Sequence, residues 1–386
     1  MNAFDYSYPV RIHFGAGCVE EALAGELAGI KGETVMIAYG GGSVKRTGLF
    51  DRIAKLLKDA GKTLVEFGGI MPNPTYKKVQ EGAQIARRQH VDYILAVGGG
   101  SVADCCKIVS AQALLDEDIW EYEYQKGKQP TEFLPFGAIV TVSGTGAENN
   151  NGAVITNQEL QQKAPLTGAF AQFAILDPEV TLTVPLPQVV SGAFDTLSHC
   201  METYMGAPRT PNVSDEMNEA VQRNVIRNMR ALLDDPNDIE ARSELMWDSA
   251  MAENGILKIG KQTDFQAHMI EHQLGAYTDC NHGRGLAVIH PSLYRHLAND
   301  ATAQLARLAR EVWGVKEDDD HAAALAGIDA LEAFITEMGL PTRFSQMGIT
   351  DADDIFQKVA DTCILTPGCA RTLPRQEVFD LLHEVA

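Results

Sequence analysis

Asp92-Tyr-Ile-Leu-Ala-Val-Gly-Gly-Gly-Ser-Val-Ala-Asp104 decides the fold. Its first half is a short apolar run of the kind buried on both faces in a parallel sheet. Three glycines stop that run, and residues 102–115 then carry helical periodicity. Working outward, residues 34–39 repeat the pattern: an apolar run ends in Gly40-Gly41-Gly42-Ser43, and a helical stretch follows over 44–60. Further strands are expected at 63–67, 136–142, 153–156 and 173–176, with helices at 20–28 and 74–90. Residues 8–14 read as an edge strand weakened by Pro9. Strands and helices that alternate at this length predict an α/β domain, a parallel sheet with crossover helices.

Past Asp177-Pro178 the character changes. Pro185 and Pro187 mark a boundary, and helices are expected at 186–204, 215–234, 238–258, 265–276, 301–312, 321–338 and 351–362. The expected division is therefore an α/β domain over 1–182 and an all-helical domain over 183–386.

The 386 residues carry a net charge of −20, which disfavours nucleic acid or an anionic membrane as partner. Seven cysteines at 18, 105, 106, 200, 280, 363 and 369, without zinc-ribbon spacing, fit free thiols in a reducing compartment. The first residues show neither a charged n-region nor an apolar h-region, so a cytoplasmic location is expected.

Two constellations carry chemistry. The glycine turns are the first. Gly98, Gly99, Gly100 and Ser101 at a helix start offer bare backbone and unpaired N–H groups to a pyrophosphate. Ser143-Gly-Thr-Gly146 lies on the same sheet edge, where ligands of open α/β sheets bind. Around Gly40, Gly41, Gly42 and Ser43 there is no carboxylate in the turn, and Lys45 and Arg46 follow. That favours NADP(H), with the two basic side chains read either as phosphate contacts or as a solvated helix face. The second constellation is Asp195 and His199, four apart, with His268 and His272, also four apart, and His282. Spacing of four puts each pair on one helix face. One carboxylate and three imidazoles would complete a four-ligand site for a divalent metal such as Zn2+ or Fe2+. His13, His90, His296, His321 and His383 have no partner in this pattern, and His290 is left open.

Taken together these residues resemble the iron-activated (group III) alcohol dehydrogenases. The shared pieces are Gly-Gly-Gly-Ser-x-x-Asp at 98–104, Thr-Gly-x-Glu at 145–148, Asp-x-x-x-His at 195–199, His-x-x-x-His at 268–272 and Asn281-His282-Gly283. The run Tyr-Gly-Gly-Gly-Ser-Val-Lys-Arg-Thr-Gly at 39–48 resembles the NADPH-dependent butanol dehydrogenase and aldehyde reductase branch. The resemblance implies a dehydroquinate synthase-like architecture with a catalytic metal in the cleft between the domains. It implies Asp195, His199, His268 and His282 as metal ligands and His272 as a catalytic histidine near the nicotinamide. It also implies cofactor contacts at Gly98–Ser101, Asp104, Thr141, Thr145, Asn150 and Lys163. Ala147 departs from the pattern, standing where many members carry serine. The activity implied is hydride transfer between NADP(H) and an aldehyde or primary alcohol, in a homodimer whose N-terminal edge strand contributes. The rival is a metal- and NAD-dependent lyase of the dehydroquinate synthase type, which would need basic residues for its substrate; residues 250–290 offer only Lys258, Lys261 and Arg284.

Overall fold

The computed structural model describes residues 2–350, 352–366 and 370–386. Asp351, expected to open a helix, and Cys369, counted among the free thiols, lie outside the described residues; the other six cysteines are free. The chain divides into two compact units, Tyr8–Val184 and Met1–Ser7 with Pro185–Ala386. The first residues thus go with the helical unit rather than the α/β unit, and the Asn2 N–H donates to the Gly260 carbonyl at 3.1 Å.

The α/β unit runs β1 (Arg11–Phe14), α1 (Val19–Leu27), β2 (Thr34–Tyr39), α2 (Ser43–Arg46), α3 (Leu49–Asp59), β3 (Thr63–Phe67), α4 (Tyr76–Arg88), β4 (Tyr93–Gly98), α5 (Gly100–Gln112), β5 (Phe136–Val140), β6 (Gly152–Asn157), β7 (Gln162–Thr167) and β8 (Phe173–Leu176). Six strands form one sheet in the order β1-β8-β5-β4-β2-β3, every neighbouring pair parallel. Crossover helices explain why: parallel neighbours cannot be joined by a tight hairpin. One face buries Val35, Ile37, Leu95, Val97, Ile139 and Ile175 against Leu23, Leu27, Ile53 and Leu57 of α1 and α3.

Three local features differ from expectation, each for a physical reason. The helix expected over 44–60 is split into α2 and α3 at Gly48, whose φ of +77° takes it out of the helical region. The strand expected over 8–14 pairs only from Arg11, past the Pro9 that lacks an N–H. The strand near 153–156 pairs with β7 as an antiparallel hairpin apart from the main sheet.

The helical unit contains α6 (Leu186–Tyr204), α7 (Val213–Asp234), α8 (Ile239–Glu253), α9 (Gln266–Thr278), α10 (His282–Leu297), α11 (Thr302–Glu311), α12 (Asp320–Glu337), α13 (Asp353–Thr362) and α14 (Arg375–Glu384). In α6 every residue from Ala193 to Tyr204 is buried. A helix enclosed on all sides must find partners for Asp195, His199 and Glu202 inside the protein. Among the described residues no helix is long and apolar enough to cross a membrane.

Candidate metal centre and cofactor turns

Within the α/β unit the strand order reverses between β2 and β4. The chain leaves β2 for β3 on one side of the sheet, and leaves β4 for β5 on the other. Tyr39 and Val97, the residues before the two glycine runs, are register partners. Both runs therefore sit side by side at the carboxyl edge of the sheet, at the switch point where such folds bind ligands.

The glycines there have separate reasons. A Cβ on Gly98 would overlap Val102, and one on Gly100 would overlap Thr145, so Gly100 lets the loop after β5 lie against the start of α5. A Cβ on Gly99 would lie 3.3 Å from Val142, and one on Gly40 3.2 Å from the Ile70 carbonyl oxygen. Gly42 has φ +91°, whereas Gly41 faces open space. Ser43 is exposed and Ser101 half-buried at their helix starts. The Thr141 N–H donates to the Gly98 carbonyl at 3.0 Å, which ties the two strand ends together.

Asp104, Asn150 and the Gly152 carbonyl enclose an ammonium that the sequence did not mark. The Lys107 side chain is fully buried, and its Nζ donates to Asn150 Oδ1 at 2.9 Å and to the Gly152 carbonyl at 2.5 Å. Asp104 lies 3.4 Å away and accepts the Val154 N–H at 3.0 Å. Burial pushes the Asp104 carboxyl up, against the pull of Lys107. Lys163 is buried in the hairpin opposite Thr156. A second missed residue is Glu66 on β3. It accepts from Lys45 Nζ at 2.5 Å and from the Tyr39 hydroxyl, and so places a carboxylate beside the first glycine turn. No sequence pattern pairs position 66 with position 45; only the β2–β3 register does.

In the helical unit, α6 supplies Asp195 and His199, α9 supplies His268 and His272, and α10 begins at His282. Asp195 Oδ1 is 3.5 Å from His199 Nδ1, 3.4 Å from His268 Nε2 and 3.4 Å from His282 Nε2. One ligand atom from each of Asp195, His268 and His282 lies within 4.8 Å of the others. His199 joins them through the shared carboxylate oxygen. His272 stacks on His282 with ring centres 5.2 Å apart, and it groups with Glu271 and His282. Asp195 Oδ1, His199 Nδ1 and His268 Nε2 are buried without a hydrogen-bond partner. Buried polar atoms are almost always paired, and two unpaired imidazole nitrogens that converge on one unpaired carboxylate oxygen fit a cation at that spot. Of the four expected ligands only His282 keeps appreciable exposure, 23 % of its side chain.

The electrostatics agree. Burial alone would raise the Asp195 carboxyl, but His199, His282 and His268 overcome it and hold it well below the usual range. Burial lowers His199. It would lower His268 too, yet the Glu202 and Asp195 carboxylates push that imidazole up to about 10. Glu202 on α6 and Glu271 on α9 accept from the Nδ1 atoms of His268 and His282, and Glu253 lies 3.9 Å from His199 Nε2. Surplus carboxylates around imidazoles suit a divalent cation. The spacing of Glu202 from Asp195, seven residues along one helix, was the available signal for the first of these.

The helix α10 was not expected from the sequence. Gly283 and Gly285 read as turn punctuation, yet both lie inside it, as does Pro291. A Cβ on Gly283 would run into the Ser191 carbonyl oxygen, and one on Gly285 would lie 2.8 Å from Glu271 Cγ. These glycines let α10 close onto α6 and α9. Asn281 caps it, accepting the Arg284 N–H at 3.1 Å.

Comparison with known proteins follows the same division. Residues 9–178 match the iron-containing alcohol dehydrogenase family, and residues 189–386 match the C-terminal region of the Fe-containing alcohol dehydrogenase family. A probable NADH-dependent butanol dehydrogenase 1 of Bacillus subtilis is 38% identical over 390 residues, covering 99% of each chain. The NADPH-dependent aldehyde reductase YqhD of Escherichia coli is 36% identical over 90% of each. The crystal structure of NADH-dependent butanol dehydrogenase A from Thermotoga maritima superposes with a TM-score of 0.93 at 33% identity, covering 100% of this chain and 99% of the other.

Proposed function

Because the chain belongs to the iron-containing alcohol dehydrogenase family, we propose that it reduces aldehydes to primary alcohols with NADPH at a metal held by Asp195, His199, His268 and His282. It is an alcohol dehydrogenase that interconverts aldehydes and alcohols. The dehydroquinate synthase-type reading is set aside: Lys258 is paired with Glu253 at 2.8 Å and Lys261 with Asp215, which leaves little positive charge for an anionic substrate. The observation that carries the metal reading is the convergence of buried, unpaired Asp195 Oδ1, His199 Nδ1 and His268 Nε2.

When bound, Fe2+ or Zn2+ supplies Lewis-acid polarisation of a carbonyl and the nicotinamide supplies the hydride. The protein's own residues do the rest. Asp195 offsets part of the cation's charge. Burial of the ligands keeps bulk water from the donor atoms, with His282 on the more open side. A protonated ring nitrogen of His272 would supply the proton that the product oxygen needs on reduction, and the same nitrogen, then unprotonated, would take a proton back on oxidation. Gly98–Ser101 at the start of α5, with Thr141 and Thr145, receive the pyrophosphate; Asp104 and Asn150 hold the wall behind them around Lys107, and Lys163 comes from the neighbouring hairpin. Ser43 and Arg46 contact the 2′-phosphate. Lys45 is drawn off by Glu66, so the preference for NADPH rests on fewer donors than the sequence suggests. One charge-assisted hydrogen bond contributes about 1.5–3 kcal/mol, so a preference of roughly tenfold is expected. The edge strand β1, paired on one side only, serves a homodimer.

The test is metal analysis of protein purified without added metal, beside kcat/KM for butanal with NADPH and NADH. Metal no higher than background, both as purified and after reconstitution with Fe2+ or Zn2+, would refute the site. Equal or better use of NADH would refute the cofactor preference, and a concentration-independent monomer mass by sedimentation would refute the dimer.

A further inference from the structure

Each of the two expected ligand imidazoles brought in by α9 and α10, His268 and His282, is held by a carboxylate from the preceding ligand-bearing helix. Glu202, on the same helix as Asp195 and His199, accepts from His268 Nδ1 through Oε2. Its other oxygen accepts the Ala267 N–H at 2.6 Å, at the start of α9. Glu271, on the same helix as His268, accepts from His282 Nδ1 at the start of α10. Gly285 leaves room for that carboxylate, its absent Cβ falling 3.1 Å from Glu271 Oε1. Glu202 and Glu271 are among the most buried carboxylates, at 1% and 0% exposure.

We infer that Glu202 and Glu271 are positioning residues that fix His268 and His282 as Nδ1–H tautomers, with each Nε2 lone pair aimed at the Asp195 oxygen. This rests on the metal reading above. The chemistry is that of the side-chain inventory. An ionised carboxylate only accepts, so the nitrogen facing it carries the proton and the opposite nitrogen is left as the donor to a cation. The ordering is sequential: α6 places α9 through Glu202, and α9 places the head of α10 through Glu271. Orienting partners of this type change metal affinity by about 10–100-fold when lost.

Glutamine separates this role from simple packing. It has nearly the same shape, but one of its two polar ends donates. In Glu202→Gln the amide cannot accept from both the Ala267 N–H and His268 Nδ1–H. If its oxygen stays on the Ala267 N–H, its NH2 faces His268 and drives the proton to Nε2, the ligating nitrogen. Glu271→Gln confronts His282 with the same choice.

The experiment is a Co2+ titration of metal-stripped protein, read by d–d absorption, for the unmodified chain, Glu202→Gln, Glu271→Gln and the double variant. Melting temperatures of the metal-free proteins are recorded alongside. The expected result is one Co2+ per unmodified chain and about 10–100-fold weaker binding in each single variant, with altered d–d bands and nearly unchanged metal-free melting. The double variant should be weaker than either single one. Co2+ affinities within threefold of the unmodified chain would overturn the inference and leave the metal reading standing. Failure of the unmodified chain to bind Co2+ would overturn the metal reading itself. If metal-free Glu202→Gln is unfolded, its role is to cap α9, which overturns the inference for that residue, and Glu271→Gln decides the other.

Discussion

Within the histidine cluster, neighbours only a few ångströms apart are assigned different work, and substitution should separate them. His268→Ala and His282→Ala each remove a nitrogen that faces Asp195 Oδ1 at 3.4 Å, so both should lose stoichiometric metal and activity. His272→Ala should keep its metal while kcat falls by about 10²–10⁴, the usual worth of a positioned acid–base group. Metal content and kcat measured on the three proteins decide this; metal loss in His272→Ala would make it a ligand. The glycine turn offers a sharper contrast. Gly41 faces open space, without the positive φ of Gly42, so Gly41→Asp costs little in packing and adds a carboxylate beside the turn. Its expected effect is a swing of about tenfold toward NADH in kcat/KM, by repulsion of the 2′-phosphate. Equal harm to both cofactors would mean that the glycine serves only the turn.

Among elements, α10 carries the most structural consequence for its length. Gly283→Ala would push a methyl into the Ser191 carbonyl, which is backbone and cannot swing away. A loss of about 1–3 kcal/mol is expected, read by chemical denaturation, and His282 should be displaced with it so that metal binding weakens too. It is also one of the elements that sequence reasoning missed. Glycine and proline are turn signals because of their backbone freedom and missing N–H, but glycine is equally the residue that lets two helices approach. Sequence alone does not say which use applies at Gly283 and Gly285. By contrast α6 was legible, since Pro185 and Pro187 mark its start and the Asp195–His199 spacing marks its working face. The parallel sheet was legible for the same kind of local reason, two of its apolar runs ending in their own triple glycines. The hairpin partner β7 was hidden by Pro165, and α14 by the lack of any strong start or stop signal. Glu66, Lys107 and the roles of Glu202 and Glu271 depend on contacts between distant segments, which no local pattern records.

At the scale of the whole molecule, pH acts through buried acids outside the metal site. Asp248 on α8 is buried, and burial pushes its carboxyl up to about 7 despite hydrogen bonds at 3.0 Å from Asn224 to both oxygens. A carboxyl with a raised folded-state value binds its proton more tightly when folded. Its contribution is therefore fully present below the unfolded value near 4 and is lost as pH rises toward 7. Asp248→Asn should flatten stability between about pH 4 and 7 and be relatively more stable than the unmodified chain at pH 8. Urea midpoints across that range would show it, and parallel curves for the two proteins would rule it out. The sealed Lys107 has a consequence of another kind. Acylating reagents attack neutral, accessible amines, so exposed lysines away from the glycine turns, such as Lys31 and Lys55, should react at once. The Lys107 Nζ, enclosed by Asp104, Asn150 and the Gly152 carbonyl, should react only when the α/β unit opens around it. Mass spectrometry of that one side chain over time would then serve as a clock for the breathing of the nucleotide-binding half. Addition of NADPH, if it binds that half, should slow the clock without altering the labelling of the surface.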